Sequence, residues 1–240
     1  MDSTGFEGIL PLALDVACGT GQSSLALSSF ARHVVGLDIS RNMLANAERN
    51  EHLRYVQARA EAMPFQNDLV PVLSCALALH WFDRDQFLRE AWRVLSLGGL
   101  LLVYTNGFRG IMRENLAFQD WAQVVYPGRY PTPPRDSNPL TPREVTASGF
   151  VFIGEEHYEN DVIFTPEELV AYLTTQTNVA ATIGAGRESL ETANHWLLEQ
   201  VRPFFVGASA TFVFSSRAWY LKKEAAGYQR LSVSSYVPAI

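Results

Sequence analysis

The stretch ALDVACGTGQSSLAL, residues 13–27, decides the fold. Apolar residues surround one acid, Asp15, a turn reading Cys18-Gly19-Thr20-Gly21 follows, and small and apolar residues then return at helical spacing. Strand, glycine turn and helix in that order open a βαβ unit whose turn can meet a ligand. Gly19 and Gly21 carry no Cβ, so the backbone bends tightly there and a ligand can pack against bare main chain.

Working outward, residues 12–106 alternate short apolar runs with helical stretches, the pattern of a parallel sheet covered by helices. The strands read LALDVA (12–17), HVVGLDI (33–39), LRYVQA (53–58), VPVLSCALA (70–78) and GGLLLVYTN (98–106), with helices expected at 22–31, 41–49 and 84–96. In the last of these helices Phe87, Leu88, Ala91, Trp92 and Leu95 share one face, Asp83 is placed to cap the start, and Gly98-Gly99 to end it. Right-handed crossovers put the glycine turn at the carboxyl edge of the sheet. After Asn106 the rhythm changes. A helix is expected over 108–126, a proline-rich loop over 126–142, a strand over 150–164, helices over 166–175 and 188–202, and a strand over 210–221. The two late strands complete a seven-stranded sheet. The expected organisation is one domain over 1–223, with a cofactor-binding half (12–106) and an acceptor-side half (107–223), and a loose tail over 224–240.

Of the 240 residues 48% are hydrophobic and 18% charged, as in an ordinary globular protein. A net charge of -6 gives no broad basic field for a nucleic-acid backbone. No apolar run reaches the length needed to cross a bilayer, and the start MDSTGFEG lacks the pattern of a signal peptide. The expectation is a cytoplasmic protein with neither nucleic acid nor membrane as partner, and with monomer and homodimer both open. Cys18 and Cys75 form no CxxC or Cys/His cluster, so no metal site is expected and both thiols are read as reduced.

Asp38 closes the second strand, where a carboxylate can accept hydrogen bonds from both hydroxyls of a ribose. That much fits a dinucleotide or an adenosine-type sulfonium. The GxGxxG fingerprint is broken, because Ser24 stands where its third glycine would be. Asp15, at the end of the first strand, would repel a pyrophosphate but can help to hold an amino-acid-bearing cation. Charge therefore favours the sulfonium over NAD(P) and an oxidoreductase; a non-catalytic cofactor-binding protein stands as the other rival.

LDVACGTGQ, GLDIS followed by Met43, ARAEAMPF, ALHWFD and FLREAWRVLSLGG occur in an order and spacing that resemble the class I S-adenosylmethionine-dependent methyltransferases. The likeness is to those with a type 11 methyltransferase domain, in particular the small-molecule branch of trans-aconitate methyltransferase-like proteins. It covers residues 12–106 and, through EELVAYLTTQTN and FVFSSRAWYLKK, extends to about residue 223. The resemblance implies a Rossmann-like three-layer α/β sandwich with a mostly parallel sheet of strand order 3-2-1-4-5-7-6. It implies S-adenosyl-L-methionine as cofactor, S-adenosyl-L-homocysteine as product, and methyl transfer to a small organic acceptor, at oxygen.

Carried over by motif, Asp15, Ala17, Gly19, Thr20 and Gly21 wrap the methionine end of the cofactor. Asp38 takes the ribose, and Ile39 and Met43 lie beside the adenine. Ala60 and Glu61 border the adenine from the loop after the third strand, while Leu77 and His80 fall near the reacting methyl. His80 and Trp81 wall the acceptor pocket, His80 being the candidate base for an alcohol or amine. Only about a dozen residues precede the first motif, where the family usually carries a few tens that cover the site. Pro71 stands where aspartate is common, with a local change at the strand's start as the expected effect.

Other residues read blandly. His33, His52, His157 and His195 are surface histidines, and Cys18 is a small packing residue. Trp121, Tyr126, Tyr130 and Trp219 read as core or loop packing ahead of an acceptor wall, and Arg109, Arg113 and Arg129 as solvated charge ahead of an anion site. Glu90 and Arg93, three apart on a helix, read as a surface ion pair on a scaffold element.

Overall fold

The computed structural model describes residues 8–134 and 139–225. Positions 226–240 of the expected tail, and 135–138 of the proline-rich loop, lie outside the described residues. The chain runs through β1 (Ala13–Val16), α1 (Gln22–Leu27), β2 (Val34–Asp38), α2 (Arg41–Ala45), β3 (Leu53–Gln57) and β4 (Val70–Ala76). A 3-10 turn (Leu79–Trp81), α3 (Arg84–Val94) and β5 (Leu95–Met112) follow. Next come α4 (Ala117–Asp120), a π-helical turn (Trp121–Val125) and α5 (Tyr126–Arg129), then α6 (Pro142–Ala147) and β6 (Phe150–Phe164). The chain closes with α7 (Pro166–Thr175), α8 (Thr177–Gly184), α9 (Leu190–Val201) and β7 (Ala210–Lys223).

The seven strands take the expected order, β3-β2-β1-β4-β5-β7-β6. β1 runs parallel to both β2 and β4, and β2 parallel to β3. With a strand on each side, β1 is buried along its whole length, which is why it reads as a short apolar run without alternation. The register sets Ser74, Asp15, Gly36 and Tyr55 side by side on four adjacent strands.

Several expected boundaries are overturned. The helix expected over 108–126 is not formed at its start: β5 continues for 18 residues to Met112, and helix begins at Ala117. Gly107 and Gly110 weaken helix there, and Gly110 takes a φ of 66° that interrupts regular helix. Gly98-Gly99 do not end α3. Leu95 is already extended, at φ -67° and ψ 137°, and the two glycines belong to β5. A Cβ on Gly99 would lie 2.8 Å from Ser96 O and 3.0 Å from Pro71 O, so that glycine serves close packing of strands. Phe87, Leu88, Ala91 and Val94 form the buried face of α3, and Trp92 is 37% exposed. The proline-rich loop holds two helices, because Pro127 and Pro142 sit in first turns, where a missing N–H leaves no bond unmade. α6 is further fixed by a Thr141/Glu144 capping box. α8 was not expected at all.

The chain divides into two compact units, one of Met1–Val103, Pro139–Gly154 and Trp219–Ile240, the other of Tyr104–Asn138 and Glu155–Ala218. The first is built on Leu14, Leu37, Leu73, Phe87, Leu88 and Leu101, with Trp219 in the same core. The second is aromatic: Phe118, Trp121, Tyr126, Tyr130 and Phe212 are buried with Met112, Leu169 and Leu197. Among the described residues no helix is long and apolar enough to cross a membrane.

Candidate cofactor site

The candidate site belongs to the first unit, where β1 and β4 end. Ala17, Gly19, Gly21 and Leu77 all take left-handed backbone, with φ of 56°, 56°, 83° and 55°. Holding the non-glycine residues Ala17 and Leu77 there costs about 1–3 kcal/mol each, strain of the kind that gathers at ligand sites. The Gly21 amide donates to Cys18 O (2.9 Å), closing the turn. The two glycines differ in what surrounds them. A Cβ on Gly19 would meet nothing within 4 Å, whereas one on Gly21 would lie 2.1 Å from Tyr55 Oη. Gly19 thus faces open space and Gly21 accommodates the tyrosine.

Asp15 is fully buried. Its Oδ1 accepts from Ser74 Oγ (2.7 Å), its register neighbour on β4, and its Oδ2 accepts from Ser23 Oγ (2.5 Å) and Ser24 Oγ (2.6 Å). Burial pushes the carboxyl above its ordinary value, against the pull of the three hydroxyls. Asp15 therefore ties the first turn of α1 to β1 and β4 beneath the glycine turn. Ser24, in place of the third glycine, supplies one of the ties.

Asp38 shapes the turn directly. Its Oδ2 accepts the Gly19 amide (2.8 Å) and its Oδ1 the Ser40 amide (2.7 Å). Each oxygen keeps a second lone pair, so the carboxylate can hold ribose hydroxyls without releasing the turn. Ile39, next to it in sequence, is 62% exposed, and Met43, on α2, is 49% exposed. Tyr55 closes the other side. Its ring crosses Gly36, where a Cβ would come within 2.6 Å of two ring carbons, and its hydroxyl donates to Glu48 O (2.8 Å). Cys18 lies against this packing, and burial pushes its thiol up to about 12.

Ala60 is buried in the connection after β3. Beside it, Glu61 Oε1 accepts the Asp83 amide (3.2 Å), and Oε2 lies 3.5 Å from Arg59 Nε. Glu90 and Arg93 are not the surface pair that the i,i+3 spacing implies: both reach this same connection, Glu90 taking the Met63 amide (2.6 Å) and Arg93 reaching Met63 O (3.0 Å). On the other side, His80 and Trp81 share the 3-10 turn with ring centroids 4.8 Å apart, and Trp81 is 61% exposed. Leu77 is 50% exposed.

Of the remaining candidates, Trp121, Tyr126 and Tyr130 are core residues of the second unit and Trp219 of the first. Arg113 pairs with Asp161 (2.7 Å) and Arg129 with Glu188 (3.1 Å), while Arg109 is exposed. Sequence reasoning missed Ser23, Ser74, Gly36 and Tyr55. Only Gly36, a glycine inside a strand, carried a signal of close approach. The residues present fit an adenosine-bearing sulfonium: a carboxylate with lone pairs to spare, a glycine turn open at Gly19, and exposed apolar side chains at Ile39 and Met43 that a purine would cover.

Comparison with known proteins agrees. Residues 14–103 match the family model described as a methyltransferase domain. A Dictyostelium discoideum protein described as a methyltransferase is 27% identical over 187 residues, 75% of this chain and 69% of that one. The ubiquinone/menaquinone biosynthesis C-methyltransferase UbiE of Hahella chejuensis is 39% identical over 101 residues, 38% of this chain and 41% of that one. The chain thus spans about two-fifths of that relative's length. For fold alone, a structure described as a type II methyltransferase of Anaeromyxobacter dehalogenans superposes with a TM-score of 0.67, covering 92% of this chain and 98% of that one at 21% identity. From glycine turn to last strand of that span, residues 14–103 are similar to the methyltransferase domain family, and they lie in a seven-stranded, Rossmann-like α/β sheet.

Proposed function

We propose that the protein methylates a small organic acceptor at oxygen, leaving S-adenosylhomocysteine, and that it stands with the trans-aconitate methyltransferase-like branch, which puts carboxylates first among acceptors. The cofactor supplies an electrophilic methyl on a sulfonium that departs as a neutral thioether. The chain's own work is then alignment and exclusion of water. Asp38 and the turn hold the nucleoside end, and Trp81 offers a flat apolar face at the other. His80 takes the proton where the acceptor arrives protonated.

The observation that carries the oxygen reading is the state of the carboxylates at this edge. Asp15 is spent on three hydroxyls, Asp38 on two amides, and Glu61 on an amide and an arginine. Such a site suits a nucleophile that is already ionised, a carboxylate or phenolate, which needs no general base. The likeness to a C-methyltransferase covers 38% of this chain, so a carbon acceptor is the second reading.

Two experiments test this. A thermal-shift titration with S-adenosylhomocysteine, NAD and NADP in parallel should respond to the first alone, since a ligand at about 100 times its Kd stabilises by roughly 2.7 kcal/mol. Incubation with methyl-labelled cofactor and a panel of carboxylates, phenols and carbon nucleophiles should then give an ester or ether. A C-methylated product would replace the oxygen reading, and tight cofactor binding without turnover on any acceptor would favour a non-catalytic binder.

A further inference from the structure

We propose that Glu90 and Arg93 of α3 are positioning residues for the adenine end of the cofactor, acting through the β3–β4 connection; the inference rests on the cofactor reading above. The connection, residues 58–69, carries Ala60 and Glu61, and it has little structure of its own. Its internal bonds are few, among them the Ala62 amide to Arg59 O (3.2 Å) and the Phe65 amide to Met63 O (2.8 Å). What shapes it is α3.

Arg93 uses all five of its N–H donors. Nε and one N–H of Nη2 go to the Glu90 carboxylate (both 2.7 Å). The other three reach the connection: Nη1 donates to Phe65 O and Asn67 Oδ1 (both 2.8 Å), and Nη2 to Met63 O (3.0 Å). Glu90 Oε1, oriented by that fork, accepts the Met63 amide (2.6 Å). The backbone of α3 continues the pattern, since Arg93 O accepts the Asp68 amide and Val94 O the Leu69 amide (both 3.0 Å). At the other end of the helix the Asp83 amide donates to Glu61 itself (3.2 Å).

An exposed i,i+3 pair leaves most of its donors to water and contributes little. This pair instead addresses two backbone carbonyls and a backbone amide, groups whose positions define the path of the connection. Only a planar fork meets Met63 O, Phe65 O and Asn67 Oδ1 together, and the single ammonium of a lysine does not. The ribose acid meets the connection only at its start, where the Ala58 amide donates to Asp38 O (3.1 Å), the methionine-end turn sits on β1 and α1, and Arg93 and Glu90 take hold farther along, at Met63, Phe65 and Asn67. Loosening Arg93 therefore acts on purine recognition and leaves the rest of the cofactor site in place.

The test is calorimetric titration of the wild-type chain and of Arg93→Met, Arg93→Lys and Glu90→Gln with S-adenosylhomocysteine and with S-inosylhomocysteine, in which the purine amino group is replaced by a carbonyl. The wild type should prefer the adenosyl compound. Arg93→Met should lose about tenfold in affinity for it, with less than about threefold change for the inosyl compound, so the preference collapses. Arg93→Lys and Glu90→Gln should fall between, and they carry the test if Arg93→Met does not fold. A role confined to folding would lower melting temperature and weaken both ligands in proportion. A preference unchanged in the folded variants, or equal wild-type affinity for the two compounds, overturns the inference and leaves the cofactor reading standing. A wild type that binds neither compound overturns the cofactor reading itself.

Discussion

Asp15 and Asp38 lie on neighbouring strands and do different work. Asp38 is the acid that keeps accepting capacity for a ligand, and Asp38→Ala should weaken S-adenosylhomocysteine binding by about 1.5–3 kcal/mol in calorimetry. Unchanged affinity in a folded mutant would remove Asp38 from the site. Asp15 acts on structure. Its removal in Asp15→Ala leaves Ser23, Ser24 and Ser74 without their acceptor in a buried place, and should lower unfolding stability in urea by about 3 kcal/mol. Asp15→Asn keeps an accepting oxygen, and because burial already disfavours the charge it should cost less than half as much. Equal losses in the two variants would show that charge, and not hydrogen bonding, holds α1. The thiols give a third check at this scale. Burial pushes both Cys18 and Cys75 up to about 12, so both are neutral at pH 7 and native protein should resist iodoacetamide until denaturant is added.

At the scale of elements, the packing of β2 against β3 turns on Gly36 and Tyr55. Gly36→Ala forces the tyrosine ring off its place beside the glycine turn, and should cost about 1–3 kcal/mol by overpacking. In a Tyr55→Ala background the same change should cost little, so a double-mutant cycle reads the contact directly. Additive losses would mean that Gly36 is needed for another reason. Gly36, a glycine inside a strand, carried a sign of close approach but not of what approaches, and Tyr55 carried none, because a register contact between strands leaves no local pattern. What was legible were the features written into short spans: the strand–turn–helix of residues 13–27, the acid ending β2, and the apolar run of each parallel strand. These pointed to a parallel sheet, and the family resemblance implied its strand order. The misses had physical causes. Pairing within the sheet carried β5 to Met112 through two glycines, and prolines that read as loop instead began α5 and α6. The Glu90/Arg93 pair was misread because its targets are main-chain carbonyls and an amide, and any residue type provides those.

At the scale of the whole molecule, each unit has its own core and each carries carboxylates held below their ordinary values. In the first unit these are Asp83, by the Gln86 amide; Glu90, by Arg93; and Glu144, where burial pushes upward but Thr141 and Arg84 outweigh it. In the second they are Glu114, by the Thr211 amide; Asp161, by Arg113; and Glu168, by the Thr165 amide. A carboxylate whose folded value lies below its unfolded one stabilises the fold fully above the unfolded value, here 3.8 for Asp and 4.5 for Glu. That contribution is lost as pH falls through the folded value. Asp15 runs the other way, its folded value being raised, and it offsets part of the loss once protonated. The pairing that lowers Glu90 and Glu144, the more enclosed of the six, is lost below about 4.5, so stability should decline there, with Asp15 opposing the decline. Urea unfolding at a series of pH values checks it. Glu144→Gln and Glu168→Gln remove one helix-capping carboxylate from each unit, and combining them should flatten the acid limb while lowering the neutral plateau. A variant with the same limb as the wild type would place the acid sensitivity in other groups, and a wild-type profile level to pH 3 would mean that relief of buried Asp15 cancels whatever these carboxylates lose.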